Sequence, residues 1–142
     1  MIRCVNLDWL ECYVLEDCDN YPHDVNKFSE LGYRVIDRGY GTRSYREMFT
    51  ILDDDGFPLY EIRRLPVGAF KDREKCILEP YSCHIRFVNR QCYAKDAIKR
   101  LHEFLALHRY SFQRISRVDI CLDFEKFDSG DDPQRFIDRY LI

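Results

Sequence analysis

The chain has 142 residues, 46% hydrophobic and 15% aromatic, and carries a net charge of −3. That balance excludes a disordered chain and a polycation, and leaves a single domain with a substantial core, on which any nucleic-acid contact must come from a local basic patch. The seven cysteines are odd in number and show neither CxxC nor Cys/His zinc spacing. They read as small buried hydrophobes of a reducing cytoplasm, with no signal peptide ahead of them and no run long enough to span a membrane.

Residues 3–15 read as a long first strand, with Leu7, Trp9 and Tyr13 on one face and Leu10, Cys12 and Val14 on the other. Both faces are substantially apolar, which places this strand inside a sheet. Asp8 interrupts the second set; a buried Asp needs a partner, either backbone or Arg, or a cation shared with other carboxylates. The stretch 16–22 is polar and turn-rich. His23 to Leu31 has the spacing of a short helix, with Gly32 as its stop, and Tyr33–Asp37 reads as a short strand.

Between Arg38 and Arg46, glycines, tyrosines and arginines interleave. Arg38, Arg43 and Arg46 can lie along a nucleic-acid backbone, or simply be solvated in a glycine-rich connection; the spacing of neither GxGxxG nor a P-loop occurs. Tyr45–Leu52 and Phe57–Leu65 flank Asp53-Asp54-Asp55-Gly56, a hairpin signal without the ligand periodicity of a calcium loop. Glu61 in the second of these strands is a weaker candidate acid, and residues 66–75 read as a loop.

In the next strand Cys83, Ile85 and Phe87 face one way, and His84, Arg86 and Val88 the other. Residues 94–109 form the clearest helix, its apolar stripe running through Ala94, Ala97, Ile98, Leu101, Phe104, Leu105 and His108, with His102 on the surface and His108 at the rim. A strand over 113–124 follows. Strand, helix and strand make a β-α-β unit whose strands are parallel, adjacent or one apart. That brings His84 and Arg86 within reach of Asp119 and Asp123.

This last strand is the most pointed part of the sequence. Val118, Ile120, Leu122 and Phe124 alternate with Asp119, Cys121 and Asp123, so the apolar set is expected to face a core. The two carboxylates share the other face, four positions apart along the strand. Asp is a poor strand former, and paired acids repel; a shared cation offsets that cost, or each Asp pairs with a neighbouring Arg. Arg117 is placed on the opposite side of the strand from Asp119. Residues 131–142 close the chain as a helix with an acidic cap, Pro133 in its first turn and an apolar stripe through Phe136, Ile137, Tyr140 and Leu141. The stripe runs to the last residue, from which we expect an N-terminal piece of a longer protein. The expected fold is α+β: a mixed, largely antiparallel central sheet of about five or six strands with helices mainly on one face, residues 1–142 forming one domain.

Taken together, Asp8-Trp9-Leu10, the segment His84-Ile85-Arg86-Phe87-Val88-Asn89-Arg90, the helix, and Ile115-Ser116-Arg117-Val118-Asp119-Ile120-Cys121-Leu122-Asp123-Phe124 resemble the N-terminal part of rolling-circle replication initiators. These serve plasmids, phages and integrative elements, in the class related to staphylococcal plasmid initiators and some relaxases. The resemblance covers most of the chain in element order; its specific part is the short Arg-x-Asp-x-x-x-Asp strand. It implies a tyrosine that attacks a phosphodiester at the origin, leaving a phosphotyrosine and a free hydroxyl primer, with a divalent ion polarising the scissile phosphate. Carried over, Asp119 and Asp123 are metal-site acids and Asp8 their companion, a set suited to Mg²⁺ or Mn²⁺. Arg38, Arg43, Arg46, His84 and Arg86 are the candidate DNA contacts. The implied partners are origin DNA, single-stranded or cruciform, and a second copy in a homodimer, with no membrane.

The sequence also departs from that pattern. It has no His-hydrophobe-His motif, and the tyrosine of the resembling class lies well downstream of the acidic strand, in a Tyr-x-Lys-like segment. Tyr140 belongs to an apolar stripe and is not expected to be the nucleophile. No catalytic residue is therefore expected within these 142 residues, which by themselves are expected to be inactive in nicking. One rival reading is a non-catalytic DNA-binding or protein-interaction module whose Asp–Arg pairs are structural. Another is a self-contained metal-dependent nuclease of a different family.

Overall fold

The computed structural model describes residues 2–17, 28–29, 32–124 and 132–140. Most of the expected helix at 23–31 lies outside the described residues; Phe28 and Ser29 are helical, and Gly32 follows at φ 87°. The strands are β1 (Ile2–Leu15), β2 (Arg34–Asp37), β3 (Tyr45–Leu52), β4 (Pro58–Pro66), β5 (Ser82–Phe87) and β6 (Ser111–Phe124), and the helices are α1 (Val67–Lys71), α2 (Asn89–Cys92), α3 (Ala97–Leu107) and α4 (Pro133–Tyr140). The strands form one sheet in the order β2-β3-β4-β5-β1-β6, and every neighbouring pair is antiparallel. β5 and β6 are therefore parallel, one apart, with β1 between them. This is the α+β fold with a largely antiparallel sheet that the alternation patterns imply.

Local chemistry sets the elements. At the β3–β4 hairpin the Asp53 carbonyl accepts the Gly56 N–H at 3.0 Å, and its carboxylate accepts the Phe57 N–H at 2.8 Å. Gly56 sits at φ 86°, where a side chain would be strained. At the start of α4 the Asp132 carboxylate accepts the Gln134 N–H at 2.7 Å, the expected acidic cap. The expected loop after Leu65 contains the short helix α1.

The core lies on one face of the sheet. Leu10, Cys12 and Val14 of β1, Ile62 of β4, and Cys83, Ile85 and Phe87 of β5 pack against Leu101, Phe104 and Leu105 of α3. Burying a side chain the size of Phe104 contributes about 1.5–3 kcal/mol. His108, expected at the rim, is 2% exposed and enclosed by the rings of Phe28, Tyr33, Phe104 and Tyr110. A charged group is buried with them: Arg64 donates from Nε and Nη2 to the two carboxylate oxygens of Glu16, at 2.6 and 3.0 Å, and from Nη1 to Glu47 at 2.7 Å.

Two expectations about facing are corrected. Leu7 does not share a face with Trp9, because a β-bulge at Asp8 lets Trp9 pair with Asp119 and Leu7 with Ile120; Leu7 packs against the core. The apolar side of β6 does not look into a core. Val118, Ile120 and Leu122 are 48%, 65% and 46% exposed, and Phe112 and Ile115 are exposed as well. β6 is the last strand of the sheet, and between it and α3 lies an open apolar cavity of about 190 Å³, lined by Leu10, Ile98, Leu101, Leu105, Phe112 and Ile115 among others.

Candidate functional site

The face of the sheet away from α3 carries a layer of charged and aromatic side chains built from four adjacent strands. Residues directly opposite one another in antiparallel pairs share a face, and the register aligns two rows. In the first, Glu61 (β4) is opposite Arg86 (β5), Arg86 opposite Glu11 (β1), and Glu11 opposite Arg117 (β6). In the second, Arg63, His84, Tyr13 and Arg114 follow in the same strand order.

The first row alternates in charge. Arg86 Nη1 donates to Glu61 Oε2 at 3.2 Å, and Arg63 Nη2 lies 3.8 Å from the same oxygen. Two residues along β1, Trp9 donates from Nε1 to Glu11 at 2.9 Å. The guanidiniums of Arg86 and Arg117, from the strands on either side, lie 4.1 and 4.3 Å from the Trp9 ring centre. In the second row Arg114 lies 4.9 Å from the Tyr13 ring, and Tyr13 packs 5.0 Å from the His84 ring. Arg63 Nε and Arg86 Nε are buried donors with no hydrogen-bond partner among the described residues.

His84 is the hub. Arg63 has only donors, so its 3.3 Å contact makes His84 Nδ1 the acceptor and leaves the hydrogen on Nε2. That Nε2–H is directed to Glu11 Oε2 at 3.2 Å and to Ser116 Oγ at 3.1 Å. Burial lowers the His84 pKa, with Arg63 acting in the same direction and Glu11 opposing it. A neutral imidazole with its proton on Nε2 cannot take a proton from Ser116. Ser116, His84 and Glu11 therefore form a positioning network, not a nucleophile with its base.

The expected site residues fall in different places. Arg117 does not lie across the strand from Asp119: positions two apart share a face, and Arg117 donates from Nε and Nη2 to both Asp119 carboxylate oxygens, at 3.1 and 2.6 Å. This pairing holds the Asp119 carboxyl below its usual range. Asp8, the bulge residue, accepts a hydrogen bond from the Tyr93 hydroxyl. Asp123 stands opposite Cys4 in the register and shares the face of Asp119 by alternation; its side chain is outside the described residues. Among the described residues no three His, Cys, Asp or Glu side chains are grouped to hold a metal. At Asp119 the geometry is that of an ion pair, and Arg117 would compete with a cation there.

His84 and Arg86 are in the layer. Arg38, Arg43 and Arg46 belong to the β2–β3 end of the sheet: Arg38 donates to Thr50 at 3.2 Å, Arg46 lies 4.5 Å from the Phe70 ring, and Arg43 is exposed. Four strand spacings, roughly 19 Å, separate β3 from β6. The sequence reading missed Glu11, Tyr13, Arg63, Arg114 and Ser116. Trp9, Glu11 and Tyr13 alternate along β1, and that period-two signal with a carboxylate at its centre was there to be found. No family model, curated protein or solved structure matches the chain.

Proposed function

We propose that this chain is a nucleic-acid-binding domain that lays a DNA strand across the charged and aromatic face of its sheet, as the DNA-binding half of a rolling-circle replication initiator. The observation that carries the reading is the convergence of Arg86 and Arg117 on Trp9, with Arg63 on β4 and Arg114 farther along β6 on the same face. Guanidinium planes held over rings supply both base-stacking surface and phosphate donors. Glu61, Glu11 and Asp119 balance most of the arginine charge, so affinity is modest and falls as salt rises. Nicking at an origin belongs to the same proposal, with its tyrosine supplied from outside these residues.

Trp9 is the only tryptophan, which makes the test direct. Adding oligodeoxythymidylate at low salt should change its emission, the affinity should fall as salt rises, and Arg86→Ala/Arg117→Ala should weaken binding tenfold or more. Unchanged emission together with no mobility shift at low salt would reject the proposal. A second reading, a protein-interaction module with structural Asp–Arg pairs, is favoured by the bidentate Arg117–Asp119 contact. It predicts no DNA effect and a lower melting temperature for Arg117→Ala.

A further inference from the structure

β6 ends the sheet, so one side of its backbone faces no other strand among the described residues. Such an edge is a template for pairing, and proteins normally blunt it with proline, charged side chains, bulges or a cover. From Arg117 to Asp123, β6 has no proline, its charged positions 117, 119 and 123 alternate with the aliphatic row and so fall on the other face, and its own residues pair consecutively with β1, the bulge at Asp8 lying on the other strand. The stretch is regular, spans roughly 24 Å at strand rise, and carries three exposed aliphatic side chains on one face.

The residue order Arg-Val-Asp-Ile-Cys-Leu-Asp, reversed about Ile120, complements itself at its two ends and along its aliphatic row, with Asp119 set against Cys121. In an antiparallel pair centred there, Ile120 meets its own equivalent and Val118 meets Leu122. On the opposite face Arg117 stands across from the Asp123 position, and the symmetry repeats that pairing at the other end. A charge at each end is thus met by its opposite, and the aliphatic row by an aliphatic row, when the incoming strand is this same sequence. Nucleic acid offers no such match to the aliphatic row. We propose that β6 is a homodimer interface, in which a second copy adds its β6 antiparallel across a two-fold axis at Ile120 and joins two six-stranded sheets into one. This inference stands apart from nucleic-acid binding.

The test is sedimentation of the full chain over a wide concentration range. Wild type should pass from monomer to dimer. Arg117→Asp alone and Asp123→Arg alone each place like charges opposite one another at both ends, and each should raise the dimer dissociation constant about tenfold or more. An equimolar mixture of the two variants restores opposite charges at both ends, and should dimerise like wild type; this recovery also establishes that both variants are folded. A wild type that stays monomeric to millimolar concentration overturns the proposal. So do single variants that dimerise as wild type does, or a mixture that fails to recover.

Discussion

Replacing Arg64 with Met tests the energetics of the fold at its most demanding point. The Arg64 and Glu16 side chains are only 3% and 4% exposed. Burial works against the charge on Arg64, and the hydrogen bonds and charge of Glu16, helped by Glu47, more than compensate, so its pKa is raised. Arg64→Met strips both hydrogen bonds from a carboxylate that remains buried. The expected cost is about 3–5 kcal/mol, a large part of the 5–15 kcal/mol typical of a domain. In urea, with a slope of about 2 kcal/mol per molar, the midpoint should fall by roughly 2 M. Removing both partners, in Arg64→Met/Glu16→Leu, should recover most of that loss, because no unpaired charge is left inside. Glu47 is 40% exposed, and Glu47→Ala should cost about 1 kcal/mol or less. A single Arg64→Met costing under 1 kcal/mol, or a double variant less stable than the single, would refute this account.

Other expectations concern protons, thiols and metal. The folded His84 pKa lies below the unfolded value of about 6.5; between the two the unfolded chain binds more protons, so stability is full above about pH 6.5 and declines as pH falls through that window. Melting temperatures from pH 7.5 to 5 should show this decline in wild type and a shallower one in His84→Gln; parallel curves would count against it. Burial pushes the Cys12 thiol up to about 12 and raises those of Cys83 and Cys92, while Cys76 and Cys121 are partly exposed. Mass spectrometry after brief alkylation should find Cys76 and Cys121 modified well before Cys12, Cys83 and Cys92, an order that equal labelling would contradict. If Asp119 belongs to a cation site, Arg117→Ala should tighten Mn²⁺ binding and Asp119→Ala/Asp123→Ala should weaken it; calorimetric titrations that do not separate these variants from wild type would exclude a metal role for this strand.

The sheet was readable from alternation because facing is a local property of a strand. The hairpin at Asp53–Gly56, the stripe of α3, and the parallel relation of β5 and β6 all follow from such patterns, while the sheet order decides between adjacent and one apart. What alternation lacks is lateral position. Val118, Ile120 and Leu122 carry the same signal in an edge strand as in a central one, so their apolar face was assigned to a core that the sheet does not extend to cover. The candidate site was partly legible: His84 and Arg86 were assigned to the polar side of β5. Their partners Glu11, Arg63 and Ser116 come from strands far apart in sequence, and no local pattern announces a row that runs across strands. Arg117 is a different case, since its two-residue spacing from Asp119 already dictated the shared face.

The bulge at Asp8 separates the length of β1 from the facing of its side chains. Trp9 pairs with Asp119 and Leu7 with Ile120, consecutive positions on β6, so deleting Asp8 would close the ladder without turning any other residue over. Loss of a residue elsewhere in the regular stretches of β1 would turn everything on one side of it to the wrong face. Position 8, like position 3 where Ile2 and Cys4 pair with the consecutive positions Phe124 and Asp123, is thus a point in β1 where evolution can add or drop a residue, here with loss of the hydrogen bond from Tyr93. Related chains should vary in length at these positions before they vary in the regular stretches of the strand.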